Sequence, residues 1–278
     1  MQLIADSGST KTLWVLLEHG TIKKNIETPG LNPYFITSSD ADSVIRNGVV
    51  PNLIANFISE IHFYGAGCST ENNIGMLTAV LKRSFSKAEI HIYHDILGAA
   101  RALCGKQEGI ACILGTGCNS CYYDGKELFS KIPSLGYLFG DEGAGSYLGK
   151  KFLESYLKGN LPTDLVAEFE QELPLKLEDI LTALYNKPSP NRFLASFSKF
   201  ISPRQEHPFL HQMISSSFRD FFEEHVVKYD QHKSVPVNFV GSIAWYYRKI
   251  LLEVAVGYDV KVDRILESPM EGLLEYHR

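Results

Sequence analysis

One pattern constrains this chain more than any other, and it occurs twice: two apolar strands joined by a tight turn of glycine and hydroxyl residues, then a third strand, then alternating helices and strands. In the first pass, Gln2–Ala5 and Thr12–Leu17 flank the turn at 6–11, and His19-Gly20 leads into a third strand near Ile22–Thr28. A helix over about 40–56 follows, opened by Ser39 or Asp40 as a cap, with Val44, Ile45, Val49 and Ile54 as its apolar positions. The strand Ile61–Tyr64, a helix near 71–84, the strand Glu89–Tyr93 and an alanine-rich helix over 95–104 complete this unit. The second pass starts at Gly109, with the strand Ile110–Leu114, the turn Gly115-Thr116-Gly117 and a strand over Ser120–Tyr123. Asp124-Gly125 is a hairpin signal into a strand near Glu127–Ile132, and a helix over about 143–158 follows Asp141. About 75 mostly helical residues then interrupt the pattern, broken by two prolines within Asn186–Asn191. It resumes with the strand Val235–Val240, the helix Ser242–Val256, a short strand near Tyr258–Val262 and a last helix near Pro269–Tyr276. The recurrence predicts an α/β protein of two related lobes around a cleft, residues 1–106 and residues 107–278, the second with a helical insertion near 159–234.

Composition narrows the class further. The 278 residues are 45% apolar and include 16 Phe and 14 Tyr, enough to fill real cores and too apolar for intrinsic disorder. A net charge of −5 gives no electrostatic reason to expect a nucleic-acid or membrane-surface partner. No stretch approaches the roughly 18 apolar residues of a membrane span. The segment MQLIADSGST lacks the basic and long apolar regions of a secretion signal, so a cytoplasmic location is expected. Five cysteines, an odd number in such a setting, are expected to be reduced. Four of them, Cys104, Cys112, Cys118 and Cys121, are close in sequence, and Cys118-x-x-Cys121 invites a metal reading. No second pair completes a four-ligand set, however, and residues 109–124 read as strands wanting small apolar side chains, so buried free thiols are expected.

The two turns carry the chemistry. In Asp6-Ser7-Gly8-Ser9-Thr10-Lys11-Thr12 a carboxylate leaves the end of a strand and enters a turn that can aim backbone N–H groups, hydroxyls and an ammonium at an anion. Asp6 is suited to a hydrated Mg²⁺, which takes few carboxylates and keeps several waters. The spacing is not that of a Walker loop, and a strand rather than a helix follows. An ordinary polar hairpin would read the same way in isolation. The second turn, Gly115-Thr116-Gly117-Cys118-Asn119-Ser120, occupies the equivalent position, and its glycines let backbone approach a ligand closely. Two such turns at matching places suit a polyphosphate.

The Asp6-x-Gly8-Ser9-Thr10-Lys11-Thr12 and Gly115-Thr116-Gly117-x-Asn119 turns resemble the two phosphate loops of the superfamily that unites sugar kinases, actin and heat-shock chaperone ATPases. Within it the chain is most similar to the N-acetylglucosamine kinase branch, which also holds the BadF/BadG-type ATPases. Pro29-Gly30-Leu31-Asn32, His94-Asp95-x-x-Gly98-Ala99, Gly140-Asp141-Glu142-Gly143-Ala144-Gly145, Gly241-Ser242 and Pro269-Met270-Glu271-Gly272 match further family motifs in the correct order. The resemblance implies an RNase H-like fold in both lobes, an actin-like ATPase architecture, with ATP and Mg²⁺ between them. It implies that Asp95 is the catalytic base, activating a sugar hydroxyl that is a poor nucleophile near neutral pH. A plain helix cap would also explain an Asp there. His94, next along the strand, is expected to point to the opposite face and to pack. By the same resemblance Gly8, Ser9, Thr10, Lys11, Gly115, Thr116 and Gly117 contact phosphates, and Gly241 and Ser242 lie against the adenosine. Asn32, Asn119, Asp141 and Glu142 meet the sugar, with Asp141 the leading ligand for a ring hydroxyl. Asn32 before Pro33 also reads as a turn former, and Asp141 and Glu142 as charges favouring a helix start.

Two functions follow from the resemblance. The first is an ATP-dependent sugar kinase acting on N-acetylglucosamine or a related amino sugar. The second is a BadF-like ATPase that activates a partner dehydratase or reductase; such activators bridge a homodimer through a cysteine-held iron–sulfur cluster, and a homodimer stays open here. The chain carries Gly140-Asp141-Glu142-Gly143 where the activators carry a Gly-Gly-Gln-Asp run, which favours the kinase.

Overall fold

The computed structural model describes residues 1–8 and 10–278, so the expected phosphate contact at Ser9 lies outside the described residues. The chain divides into two compact units, Met1–Lys106 with Pro269–Arg278, and Gln107–Ser268.

The first unit is built on five strands: β1 (Gln2–Ser7), β2 (Lys11–Glu18), β3 (Thr21–Pro29), β4 (Glu60–Gly65) and β5 (Glu89–His94). Their order across the sheet is β3-β2-β1-β4-β5. The first three run antiparallel, while β4 and β5 lie parallel to β1. Because successive side chains of a strand alternate between faces, β1 feeds two cores at once. Leu3 and Ala5 join Trp14, Phe63, Leu77 and Leu81 on one face; Ile4 joins Val15, Leu17 and Tyr64 on the other.

That second face corrects the expected boundary. The last helix, Met270–Tyr276, was expected with the second lobe but packs in the first unit, where Met270, Leu273 and Leu274 complete the core around Ile4 and Val15. Gly272 permits it: a Cβ there would sit 2.1 Å from the carbonyl oxygen of Ala102, on the helix Asp95–Cys104. The expected helix over 40–56 is shorter and starts earlier. Thr37 is the cap, its side chain accepting from Asp40 N–H while Asp40 accepts from Thr37 N–H, and the regular helix covers Ser38–Val44 before loosening ahead of Pro51.

The second unit repeats the sheet with β6 (Gly109–Leu114), β7 (Cys118–Tyr123), β8 (Leu128–Phe129), β9 (Val237–Val240) and β10 (Val262–Leu266). The order is β10-β9-β6-β7-β8, with β6–β7–β8 antiparallel and β9 and β10 parallel to β6. The insertion supplies helices from Thr163–Glu172 through Pro208–Phe221, packed on the helix Gly145–Leu157 around Phe152, Phe169, Phe197 and Phe200. Three expected elements differ. The strand near Glu127–Ile132 contracts to β8, and the helix over 242–256 breaks at Tyr247 into Ser242–Tyr246 and Arg248–Val256. The strand near 258–262 begins only at Val262, because Tyr258 and Asp259 form the turn that leaves the helix, with Asp259 at φ +55°. Among the described residues no helix is long and apolar enough to cross a membrane.

Candidate functional site

Asp6 lies near the end of β1, registered against Tyr64 of β4, which is registered in turn against Tyr93 of β5. Asp95 follows β5 by one residue, so the two carboxylates emerge at the same end of the sheet. Burial pushes the Asp6 carboxyl up to about 7, with the charge of Asp95 adding to the rise and Lys11 opposing it. The pair offers hard oxygen donors and carries negative charge that a small divalent cation would offset, so the donor set fits Mg²⁺. Lys11 is not committed to the turn. Its ammonium pairs with Glu27 at 3.3 Å, with both side chains more than 60% exposed.

The end of β5 departs from the simple alternation expected of it. His94, not Asp95, is the N-cap of the helix Asp95–Cys104, and its ring turns back toward Asp95 rather than away. Asp95 Oδ1 accepts the Ile96 N–H at 2.7 Å and lies 2.7 Å from His94 Nδ1. Burial works against a charged His94, but the hydrogen bond and charge of Asp95 outweigh it and raise its pKa. Asp95 Oδ2 lies outside these bonds, on a side chain 29% exposed.

The other described residues of the first turn are bonded to one another and to the segment after β3. Gly8 N–H donates to the Lys11 carbonyl at 3.0 Å, and the Thr10 carbonyl accepts from Gly30 N–H at 3.0 Å. Ser7 Oγ and Thr12 Oγ1 meet at 2.7 Å, and Ser7 Oγ accepts the Leu31 N–H at 3.1 Å, which locks the segment after β3 onto the turn. Asn32 in that segment is buried. Its Oδ1 accepts the Tyr34 N–H at 3.0 Å and its carbonyl the Phe35 N–H at 2.9 Å, so the turn-forming role is present. Gly67, at φ +81°, passes close enough that a Cβ would lie 2.3 Å from Asn32 Oδ1.

In the second unit the turn between β6 and β7 is braced from two sides. Gly241, at φ +123°, presses on it: a Cβ there would lie 2.3 Å from the Leu114 carbonyl oxygen and 3.1 Å from Gly115 N. Asp141, itself at φ +63°, accepts the Cys118 N–H on Oδ1 at 3.1 Å and the Ser146 hydroxyl on Oδ2 at 2.8 Å. Gly117 leaves room for it, since a Cβ there would lie 2.7 Å from Oδ1. Gly115 N–H closes the turn on the Gly117 carbonyl at 3.0 Å, while its missing side chain faces open space. The result is a cavity of about 470 Å³ that brings Gly115, Thr116 and Ser242 together with Ser198, Lys199 and Tyr246. Its lining is mainly apolar side chain over glycine backbone, which suits a flat ring system beside a polar tail. Ser198 and Lys199 belong to the helical insertion, where no sequence motif marks them.

A second cavity of about 450 Å³ lies beside Asp141 and Glu142. Burial raises the Asp141 pKa; the Ser146 and Cys118 hydrogen bonds oppose this and Glu142 adds to it. Two of its roughly four acceptor lobes are engaged, so it retains capacity for a hydroxyl. Asn119 is not among the side chains lining this cavity. It follows Cys118 on β7 and therefore faces the other side of the sheet, with its Oδ1 on the Ser120 N–H at 2.9 Å. The same alternation separates Cys118 from Cys121, and no disulfide joins any of the five cysteines. Cys118 instead meets His225 and Glu142, residues far apart in the sequence.

Two sheets of this order, each with a glycine-rich turn between its central antiparallel strands, define the actin-like ATPase fold in its sugar-kinase form. The whole chain aligns with 98% of a candidate N-acetylglucosamine kinase from Porphyromonas gingivalis at 42% identity and a TM-score of 0.95. The chain belongs to the N-acetylglucosamine kinase family of the actin-like ATPase superfamily. A candidate N-acetylglucosamine kinase from Chromobacterium violaceum shares the fold over 100% of this chain and 98% of its own, at 16% identity and TM-score 0.77. So does a ROK family glucokinase from Streptomyces griseus in complex with glucose and AMPPNP, over 99% and 97%, at 14% identity and TM-score 0.54. No family model matches the chain, and no curated protein does.

Proposed function

We propose that this protein is an ATP-dependent sugar kinase that moves the γ-phosphoryl group of ATP to a hydroxyl of N-acetylglucosamine or a related amino sugar. The observation that carries the proposal is the pair Asp6 and Asp95 at one sheet end, in a chain of this family. Asp95, through the oxygen outside its internal bonds, takes the proton of the attacking hydroxyl. His94 holds Asp95 in orientation. Asp6 would hold Mg²⁺, which when bound would supply neutralising charge at the phosphates. Gly8, Thr10 and Lys11 in the first turn and Gly115, Thr116 and Gly117 in the second receive phosphate, with Lys11 leaving its weak surface pair with Glu27 to do so. The cavity lined by Gly115, Thr116 and Ser242, the last preceded by Gly241, takes the adenosine. Asn32, Asp141 and Glu142 read the sugar, Glu142 being the more accessible of the two acids; Asn119, expected at the sugar, lies on the opposite face of β7 and is left out of this role.

An ADP-release assay over a panel of amino sugars and hexoses, with a no-acceptor control, tests this. ADP release that requires a sugar, with N-acetylglucosamine or a relative giving the highest kcat/KM, is expected. Hydrolysis at the same rate without any acceptor would replace the kinase with an ATPase.

A further inference from the structure

Cys118, Glu142 and His225 converge on one point. Cys118 Sγ lies 3.4 Å from His225 Nε2, and Glu142 Oε2 lies 3.2 Å from the same nitrogen. The three donor atoms are all within 4.8 Å of one another. Both partners therefore address a single ring nitrogen. A neutral Nε2 has either one hydrogen or one lone pair in the ring plane, so it donates to the carboxylate or accepts from the thiol, but cannot do both. A hydrogen-bonded account leaves one contact unsatisfied in either tautomer.

A metal ion satisfies all three. With Zn–S near 2.3 Å and Zn–N and Zn–O near 2.0–2.2 Å, a tetrahedral site has S–N and N–O edges of about 3.3–3.6 Å, close to the separations here. Thiolate, imidazole and carboxylate are the donor types that zinc takes in tetrahedral sites.

The surroundings are those of a formed site. Cys118 and His225 are each 5% exposed. The Cys118 backbone is fixed by its N–H bond to Asp141, and the His225 ring is stacked on Phe221 at 4.9 Å. His225 rides on the wide helical turn Phe222–Val226, a local π-type expansion of the preceding helix that is frequent at functional sites. His225 Nδ1 is buried with no hydrogen-bond partner, so Nε2 is the engaged nitrogen of the ring. The cavity by Leu135, Phe139 and Glu224 lies beside the cluster.

We propose that Cys118, Glu142 and His225 form a zinc site with three protein ligands and a fourth position open to water or to a ligand in the adjoining cavity. Binding expels the Cys118 thiol proton to solvent and joins thiolate sulfur to the metal. The site does not rest on kinase activity. It uses Glu142, so metal and sugar would compete for that side chain.

Titration of the chelator-treated full chain with Co²⁺ tests the proposal. A thiolate-to-cobalt absorption band saturating at one equivalent per chain, and bleached by Zn²⁺, is expected. Cys118→Ser should abolish the band, His225→Gln and Glu142→Gln should each weaken metal affinity by at least about 10-fold, and Cys104→Ser should leave it unchanged. X-ray absorption of the zinc complex of the unaltered protein, which needs no substitution to fold, should give one sulfur among nitrogen and oxygen neighbours. No band, a band that survives in Cys118→Ser, or a sulfur-free zinc shell would overturn the site.

Discussion

The two glycine-rich turns occupy equivalent places in equivalent sheets, yet they are held differently. The turn between β1 and β2 is held by hydrogen bonds, Ser7 on Thr12 and the Gly30 and Leu31 N–H groups on Thr10 and Ser7, and stands beside two carboxylates, Asp6 and Asp95. The turn between β6 and β7 is held from outside, by Asp141 on the Cys118 N–H and by Gly241 against Leu114, and opens on a mainly apolar cavity. One unit concentrates charge and the other concentrates shape. One strand order thus supports a carboxylate pair in one unit and a shaped, mainly apolar cavity in the other.

The division predicts separable failures. Asp95→Asn should lower kcat by about 10²–10⁴-fold while ATP affinity changes little, because it removes a base and no part of the apolar cavity. Steady-state kinetics against both substrates checks it, and a matching loss of ATP affinity would blur the division. Gly241→Ala should act in the other unit. A Cβ at φ +123° that meets a carbonyl oxygen at 2.3 Å should cost roughly 2–4 kcal/mol, read as a lower Tm, together with a higher KM for ATP.

Protonation of His277 should weaken the first unit in acid, against the opposite trend of Asp6, whose raised carboxyl favours the folded state as pH falls through about 7. Burial lowers His277 to about 4, aided by the nearby charges of His62 and Arg101 and opposed by Glu60. Its folded pKa lies below the unfolded 6.5, so its contribution is complete above pH 6.5 and is lost as pH falls toward 4, by on the order of 2 kcal/mol. Urea unfolding followed by Trp14, in a Trp245→Phe background, should show this slope in the difference between the parent and His277→Asn, in which the Asp6 contribution cancels. The smallest effect is expected of Glu27→Gln. It frees Lys11 and should change stability by less than about 0.5 kcal/mol, since the broken pair is exposed.

Much of this was legible in the sequence, for a physical reason: turns and strand periodicity are local. The repeated strand–turn–strand and the carboxylate at the end of β1 follow from neighbours in the chain, while the glycine at 241 was marked by the family resemblance. What escaped depends on contacts between distant residues. That Met270–Tyr276 completes the first unit turns on Gly272 meeting Ala102. The meeting of His225 with Cys118 spans 107 positions, and no spacing rule joins them. The pairing of His94 with Asp95 was missed because strand alternation was carried one residue beyond the strand, into a helix cap where it no longer applies.

The return of residues 269–278 to the first unit has a consequence for biogenesis. Chains emerge from the ribosome in order, and the unit begun first lacks Met270, Leu273 and Leu274 until translation has passed through all of the second unit. Until then the face of β1 bearing Ile4 has Ala102 of the helix Asp95–Cys104 against it but lacks this last helix, and is in part available to other apolar surfaces. The second unit, contiguous from Gln107 to Ser268, is under no such delay. Vectorial synthesis therefore inverts the order suggested by the numbering, with the later-made unit able to finish folding first.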